Sequence, residues 1–596
     1  MVLDLKIGAF LRDIMSYFLM NEIGKKNFLI FASVSALAVH KLIFLITFKI
    51  NYPYAADTAD VFNSVFYFIT ENDFTLFANK GLHLIIFPKI VAYPNLLLNS
   101  FDVGNLFYLQ WIVISVTVYV LYLILKQTDK NLFWTLIPIS AFLYSPLTTS
   151  SYWSATILAW LFPMLGIVLI VYFLNRKPTR ISTFSLSVFF AIFSTFSIMI
   201  GAISWIIGII MLAPKLFEKK NSEKKWFFLW IPIVIFAGFS YLHLTSGNSE
   251  PIAYDLLFSY TSFSFITHFV ASSFRLKFEF LMVFVGTASL ILSGLYVCYF
   301  TKEKLLKQYF PWFALISAGL IGAIITALGR MQYVDTHLGN DPYYITISQL
   351  FQIGLIVLSG KLIYEYRKPP TTITRKFVLY LLILLLISQM ILLIPSYYSG
   401  WERGNYYFEE KNNLFSCYSL SPQINCVYDE KFNPFITNSA VYDNIKIANY
   451  LLENNHSIFA EKGFNEKNLQ SLEKFDNYSD NKKIFEDGQI TSINGSNVIN
   501  ESDFIFEDDF VKIDGWLTTK NYSNLESIFL IVDNTPFLEH DDFQIIEGGN
   551  RELTKIEWSV FFLSGYLEHG CHDVSFVGIF ENEKILLDDE KIICRQ

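Results

Sequence analysis

Eleven stretches of about twenty predominantly apolar residues dominate this chain, and about that length of helix crosses the hydrocarbon core of a bilayer. They lie near 28–48, 104–126, 131–148, 154–175, 182–199, 201–217, 226–244, 279–300, 310–329, 345–364 and 376–396. With 53% hydrophobic, 17% aromatic and only 16% charged residues over 596 positions, the chain has too little polar surface to cover so much apolar side chain in water. The predicted class is a polytopic α-helical membrane domain of about 11 spans.

The net charge of −8 conceals two regions. Residues 1–396 carry 29 basic and 18 acidic side chains, whereas 397–596 carry 16 and 35. Basic clusters occupy alternate connections: Lys25/Lys26, Lys126/Lys130, Arg176/Lys177/Arg180, Lys215/Lys219/Lys220/Lys224/Lys225, Lys302/Lys304/Lys307 and Arg367/Lys368/Arg375/Lys376. Positive residues stay in the cytoplasm, so the N-terminus is expected there. The acidic C-terminal region and the loops 49–103, 149–153, 245–278 and 330–344 are expected outside. The first apolar segment begins after about 27 residues and can span, so it reads as an anchor rather than a cleaved signal.

Residues 84–99 (LIIFPKIVAYPNLLLN) are apolar but short and hold Pro88 and Pro94. Counting them as a span would invert every later loop, so they read as a membrane-surface or re-entrant piece, preceded by a helix at about 57–70. Beyond 397 the composition turns to Asn, Asp, Glu and Ser. Residues 397–500 form a mixed extracytoplasmic region with helical spacing at 440–455, and 501–596 alternate in strand fashion. Segments such as FVKIDGWL, SIFLIVDN, IEWSVFFL, DVSFVGIF and KILLDDEKIICR suggest a small β-sandwich closing an α+β region.

Of five cysteines, Cys298 lies in a span and Cys417, Cys426, Cys571 and Cys594 fall in the outer region. An even number on an oxidising side suggests disulfides. Nearest neighbours pair as Cys417–Cys426 and Cys571–Cys594, one of three connectivities open to four cysteines, with free thiols as the alternative.

Asp57 and Asp60 stand one helical turn apart just after the first span. Such a pair caps a helix and complements its dipole; equally, it puts two carboxylates on one face, where one can serve as general base toward a hydroxyl. His83 and Lys89 follow in an apolar segment, and Lys41 sits beside His40 in the outer part of the first span. A lysine near a span end usually snorkels to the headgroups; the alternative is a ligand for a lipid-linked phosphate. Arg330, in ALGRMQYVDTHLGNDPYY, is a cation on the face where cations are disfavoured, which suits either interfacial anchoring or a bidentate phosphate contact. His337, Asp335 and Asp341 show no metal-ligand spacing, so no metal site is assigned; the residues identify no cofactor and leave the need for a divalent ion open. Phosphate loops, dinucleotide fingerprints and serine-nucleophile elbows are also missing from the sequence.

The ordered set of an acidic pair after the first span, GLHLIIFPK, STFSIMIGAISWIIGIIML and ALGR…YY resembles the GT-C class of integral-membrane glycosyltransferases. Within it, the chain is similar to bacterial multi-spanning proteins with Asp-Asp, Asn-Glu-His-Arg and Phe-Pro-Arg in the first outer loop and later Gly-Arg and Arg-Tyr. The likeness covers about 50–365 and does not reach the C-terminal region. It implies that Asp57 or Asp60 is the base, that His83, Lys89 and Arg330 line a donor-phosphate pocket, and that Lys41, Tyr343 and Tyr344 contact donor or acceptor. Only His83 survives of the Asn-Glu-His-Arg block, flanked by Gly81, Leu82 and Leu84, and Tyr343-Tyr344 stands where Arg-Tyr is expected. The implied partners are a polyprenyl-phosphate-linked sugar donor, a surface glycan or lipid acceptor such as O-antigen, and membrane lipids, with no nucleic acid. The implied location is a bacterial cytoplasmic membrane. Two rival expectations are a flippase of lipid-linked saccharide and a glycan-binding membrane protein.

Overall fold

A computed structural model describes residues 22–49, 63–71, 84–148, 156–217, 221–245, 259–330 apart from 275 and 277, 344–366 and 373–420, together with the strands between 485 and 595. The chain divides into two units, Met1–Asn99 with Val103–Phe408, and Glu409–Gln596 with Ser100–Asp102.

The first unit is a polytopic helical membrane protein. Its helices are α1 (Glu22–Thr47), α2 (Asn63–Glu71), α3 (Ile86–Leu98), α4 (Asn105–Thr128), α5 (Leu136–Leu143), α6 (Thr156–Asn175) and α7 (Ile181–Thr195). They continue as α8 (Ile203–Leu212), α9 (Asn221–Thr245), α10 (Tyr260–Ala271), α11 (Glu279–Lys302), α12 (Leu306–Arg330), α13 (Ile345–Tyr366) and α14 (Ile373–Leu420), of which the part up to Phe408 belongs to this unit. Among the described residues nine helices are long and apolar enough to cross a membrane, against the eleven spans expected. The stretch 131–148 breaks into a six-residue 3-10 turn, Lys130–Thr135, and the eight-residue α5. The stretch at 182–199 forms only the 15-residue α7. Apolar composition cannot distinguish a span from a shorter helix enclosed by neighbours.

Two further differences concern connections. The stretch 245–278 contains α10, a 12-residue helix with eight buried residues. The final span continues without a break past 396 to Leu420, its polar second half notwithstanding. The short helix α3 agrees with a segment that does not span: it has 13 residues, encloses Pro94 and buries one face, Pro88, Lys89, Ala92 and Leu96.

Hydrogen bonds join alternate helix ends. At one end Tyr309 Oη donates to Asp129 Oδ2 (2.8 Å), Gln308 Nε2 to the Thr128 carbonyl (2.9 Å) and Asn175 Nδ2 to Gln127 Oε1 (3.0 Å). Lys361 Nζ lies 3.4 Å from Asp129 Oδ2 and 3.1 Å from Glu365 Oε1. Glu223, buried, accepts from the Thr179 backbone (3.1 Å) and hydroxyl (2.8 Å) and pairs with Lys215 at 3.6 Å. The described members of the basic connections, from Lys126 to Lys307, therefore gather at this end, which we call the lysine-rich end. At the opposite end the Ile86 amide donates to the Phe196 carbonyl (2.8 Å), Tyr397 Oη to the Ala141 carbonyl (2.9 Å) and Ser396 Oγ to the Phe274 carbonyl (2.6 Å).

Helix α13 forms the axis of this unit: every residue from Ile345 to Gly360 is buried. By contrast α9 and α11 present Phe228, Phe236, Phe239, Phe280, Phe284 and Ile291 on the exterior, as helices facing hydrocarbon do. Helices α10 and α11 approach closely at Gly286, where an added Cβ would lie 2.2 Å from the Thr267 carbonyl oxygen.

Among the described residues of the second unit, eleven strands form two sheets: five strands in the order β2-β1-β4-β8-β7, and six containing β3-β11-β9-β5-β6 with β10 beside β9. The strands are β1 (Phe485–Ile493), β2 (Ser496–Asn497), β3 (Asp503–Phe506), β4 (Phe510–Thr519), β5 (Leu525–Val532), β6 (Thr535–His540), β7 (Phe543–Ile546), β8 (Thr554–Leu563), β9 (Gly570–Phe580), β10 (Glu583–Leu586) and β11 (Lys591–Arg595). The pairings among the described residues are antiparallel except that of β11 with β3. The alternating segments named above become β4, β5, β8, β9, β10 and β11; β1, at 485–493, starts earlier than the alternation suggests.

Candidate functional site

Lys41 is the least expected side chain in the described bundle. It is fully buried, and its Nζ donates to the carbonyl oxygens of Ser145 (2.8 Å) and Pro146 (3.3 Å), 5.2 Å from the centre of the Phe44 ring. The snorkelling alternative therefore fails for Lys41: the ammonium turns into the protein. Local structure explains the seat. After α5 the chain enters a 3-10 turn, Pro146–Thr148; the carbonyls of Ser145, just before it, and of Pro146, its first residue, lie outside the α-helical ladder and accept from Lys41. Burial of a cation is costly unless polar groups converge on it, and here carbonyl dipoles do so.

The same turn is held from two further sides. Gln349 Nε2 of α13 donates to the Phe142 carbonyl (2.6 Å) and to Thr148 Oγ1 (3.0 Å). In α14, Gly400 allows close approach, since a Cβ there would fall 2.6 Å from the Leu147 amide nitrogen. Trp401, in the next position, packs edge-on against Phe44 and Phe48 and donates its indole N–H to His40 Nε2 at 3.3 Å.

Lys89 is also buried, 3% exposed, on the inner face of α3. The start of that helix is fixed by the Ile86 and Phe87 amides, both donating to the Phe196 carbonyl, and by Phe87 against Phe193 at 4.9 Å. Tyr344, 1% exposed, immediately precedes α13 and sits within rings: Trp160 at 5.7 Å, Phe269 at 5.1 Å and Phe265 at 6.2 Å. Arg330 closes α12. Lys41, Lys89, Tyr344 and the backbone of Arg330 share the end opposite the lysine-rich connections, each among different neighbours.

Asp57, Asp60, His83, Tyr343 and Cys426 lie outside the described residues, as does the expected helix at 440–455. Cys417 falls within α14. Cys571 and Cys594 are register partners across β9 and β11. The exposed Cys298 is a free thiol. Among the described residues no group of three His, Cys, Asp or Glu side chains could hold a metal ion.

Sequence reasoning overlooked the polar interior of α13 and α10. Ser348 Oγ donates to the Val270 carbonyl (3.0 Å) and lies 3.0 Å from Ser273 Oγ; Gln352 Nε2 donates to the same carbonyl (2.9 Å). The signal available was Gln349 and Gln352, one turn apart in an otherwise apolar span, where intramembrane polar residues face the bundle interior.

No family model, curated protein or solved structure matches the chain.

Proposed function

We propose that the chain is an inverting glycosyltransferase of the GT-C type, moving a sugar from a polyprenyl-phosphate donor to a surface glycan or lipid. The observation that carries this is the burial of two lysines, Lys41 and Lys89, at the bundle end from which 50–62 and 72–83 depart. Those segments bear Asp57, Asp60 and His83. Buried cations at that bundle end, together with the carboxylates that the connecting sequence carries, suit a reaction that needs both.

In that reaction the acceptor hydroxyl oxygen attacks the anomeric carbon from the face opposite the leaving group, and the carbon–oxygen bond to the lipid phosphate breaks. The hydroxyl proton passes to the carboxylate of Asp57 or Asp60. The departing polyprenyl phosphate gains negative charge, which His83, Lys89 and Arg330 stabilise, with Lys41 and Tyr344 shaping the pocket. The site end is the extracytoplasmic face, because the opposite end collects the lysine-rich connections. We read the two C-terminal sheets as a β-sandwich on the extracytoplasmic side of the membrane. The membrane is the cytoplasmic membrane of a bacterium.

The test is purified full-length protein in proteoliposomes, supplied with a panel of polyprenyl-phosphate sugars and glycan acceptors. Cleavage of the sugar–phosphate bond with acceptor glycosylated is the expected result, and Asp57→Asn or Asp60→Asn should slow it about 10²- to 10⁴-fold. Wild-type rates in both variants would remove this loop from the chemistry. Movement of intact lipid-linked sugar across the bilayer without cleavage would establish a flippase instead.

A further inference from the structure

The register of the first C-terminal sheet sorts its residues by face. Partners on neighbouring strands share a face, and successive residues of one strand alternate between faces. Across β1, β4, β8 and β7, the row Gly488–Leu517–Ile556–Ile545 and the row Ile490–Gly515–Trp558–Phe543 hold only apolar residues and glycine. They lie on one face. On the other face the same strands contribute Asp487–Thr518–Lys555–Ile546, then Gln489–Trp516–Glu557–Gln544, and then, where β7 has ended, Ser492–Asp514–Ser559. An antiparallel sheet divided in this way buries its apolar face and leaves the polar one to water. Trp516 is the aromatic position in these polar rows, and it belongs to a strand with neighbours on both sides. A second ring, Phe561 opposite Lys512, shares the face further along, beyond the last pairs of β1 and β7.

The chemistry of the central row selects its occupant. A large apolar residue on a polar face is the informative exception, and here an amide stands one strand to one side of the indole, a carboxylate one strand to the other and a second amide beyond that. With strands about 4.8 Å apart, the row spans about 14 Å, long enough for a short oligosaccharide. A pyranose offers a flat C–H face to an aromatic ring, and its hydroxyls both donate to carboxylates and exchange hydrogen bonds with amides. An anionic partner would meet Asp487, Asp514 and Glu557 against Lys555 in these rows. An apolar peptide would strip water from the same amides and carboxylates without replacing its hydrogen bonds.

We propose that the row Gln489–Trp516–Glu557–Gln544 is a binding platform for a neutral oligosaccharide, with one pyranose over Trp516 and its hydroxyls shared among the flanking amides and carboxylate. The platform is distinct from the transfer chemistry proposed above and does not rest on it. Its test is saturation-transfer NMR on the full chain in nanodiscs, with maltotriose, cellotriose and mannotriose as neutral probes and trigalacturonate as the anionic comparison. At least one neutral trisaccharide should receive saturation from the wild-type protein. Trp516→Ala should weaken its binding at least about 10-fold, and Trp516→Tyr, which keeps a flat ring, should weaken it less. Gln489→Ala and Gln544→Ala should each weaken it about 3- to 10-fold, the effect of one neutral hydrogen bond. Thermal unfolding of each variant shows whether it is folded; Gln544→Ala, on the edge strand β7, keeps the test open if Trp516→Ala does not fold. Absence of saturation for every neutral trisaccharide, unchanged binding in the folded variants, or preference for trigalacturonate overturns the platform. Binding that depends on Trp516 in a protein that transfers no sugar retains the platform and removes the enzyme; sugar transfer with binding indifferent to Trp516 does the reverse.

Discussion

Helix α11 contains two interior glycines, and their surroundings predict opposite responses to the same substitution. An alanine Cβ at Gly286 would lie 2.2 Å from the Thr267 carbonyl oxygen, 2.7 Å from its carbonyl carbon and 2.8 Å from its Cα, whereas at Gly294 it would meet nothing within 4 Å. All three neighbours of Gly286 are backbone, so no rotamer change relieves the clash. With ordinary carbon–oxygen contact at about 3.3 Å, α10 and α11 must separate by about 1 Å. Overpacking of that kind costs about 1–3 kcal/mol, offset by up to about 1 kcal/mol from alanine's better helix propensity. Gly286→Ala should therefore lose about 1–2 kcal/mol, and Gly294→Ala should be neutral or gain up to about 1 kcal/mol. Reversible unfolding in mixed micelles, followed by circular dichroism against denaturant, reads the difference of about 2 kcal/mol between the variants. Equal midpoints for the two would refute the close approach of α10 to α11.

Three other outcomes are expected. Burial raises the pKa of the Asp129 carboxyl, but the Tyr309 hydrogen bond, the Asn131 amide, Lys361 and the Asn131 side chain together outweigh it and hold the group below its ordinary 3.8. A depressed carboxylate pKa contributes stability that is present above the ordinary value and is lost as pH falls through the folded one. The destabilisation caused by Asp129→Asn should then be full at pH 6 and fade below about pH 4; a difference independent of pH would show that charge plays no part. The facing register of Cys571 and Cys594 places them within reach of a cross-strand disulfide, so non-reducing peptide mapping should recover them linked, and two free thiols would disprove it. Arg330→Ala should impair glycosyl transfer more than Arg330→Lys, since lysine keeps the charge but not the two-pronged geometry; equal wild-type turnover in both would reduce Arg330 to an interfacial anchor.

Much of the bundle was legible because twenty-residue apolarity and alternating lysines are each imposed by the bilayer, residue by residue. What escaped depended on partners far along the chain. Lys41 looks from sequence like any lysine near a span end; only the carbonyls at Ser145 and Pro146, more than a hundred positions away, draw it inward. Helix α10 was hidden because TSFSFITHFVA is too short for a span and too polar to resemble one. The continuation of α14 beyond 396 escaped because its polar half, ERGNYYFEEKNN, reads as the opening of a soluble region. For the strands, period-two alternation marked the segments that become β4, β5, β8, β9, β10 and β11, whereas the Asp- and Gly-interrupted β1 and the two-residue β2 lie before the alternating stretch.

The enclosed helix α13 also bears on how this protein is made. It is the least apolar of the nine long helices among the described residues and carries Ser348, Gln349, Gln352 and Ser359 within its length. Surrounded by lipid, those side chains would lack the carbonyls and hydroxyls that satisfy them in the bundle. Yet α13 is the last but one of the described helices to leave the ribosome, after α5, α10 and α12 have been synthesised. Its slot must therefore stay open among earlier helices until it arrives, and only α14 follows it. A ribosome stalled just before residue 345 would present the membrane with a bundle lacking its axis, and further translation fills that gap with α13.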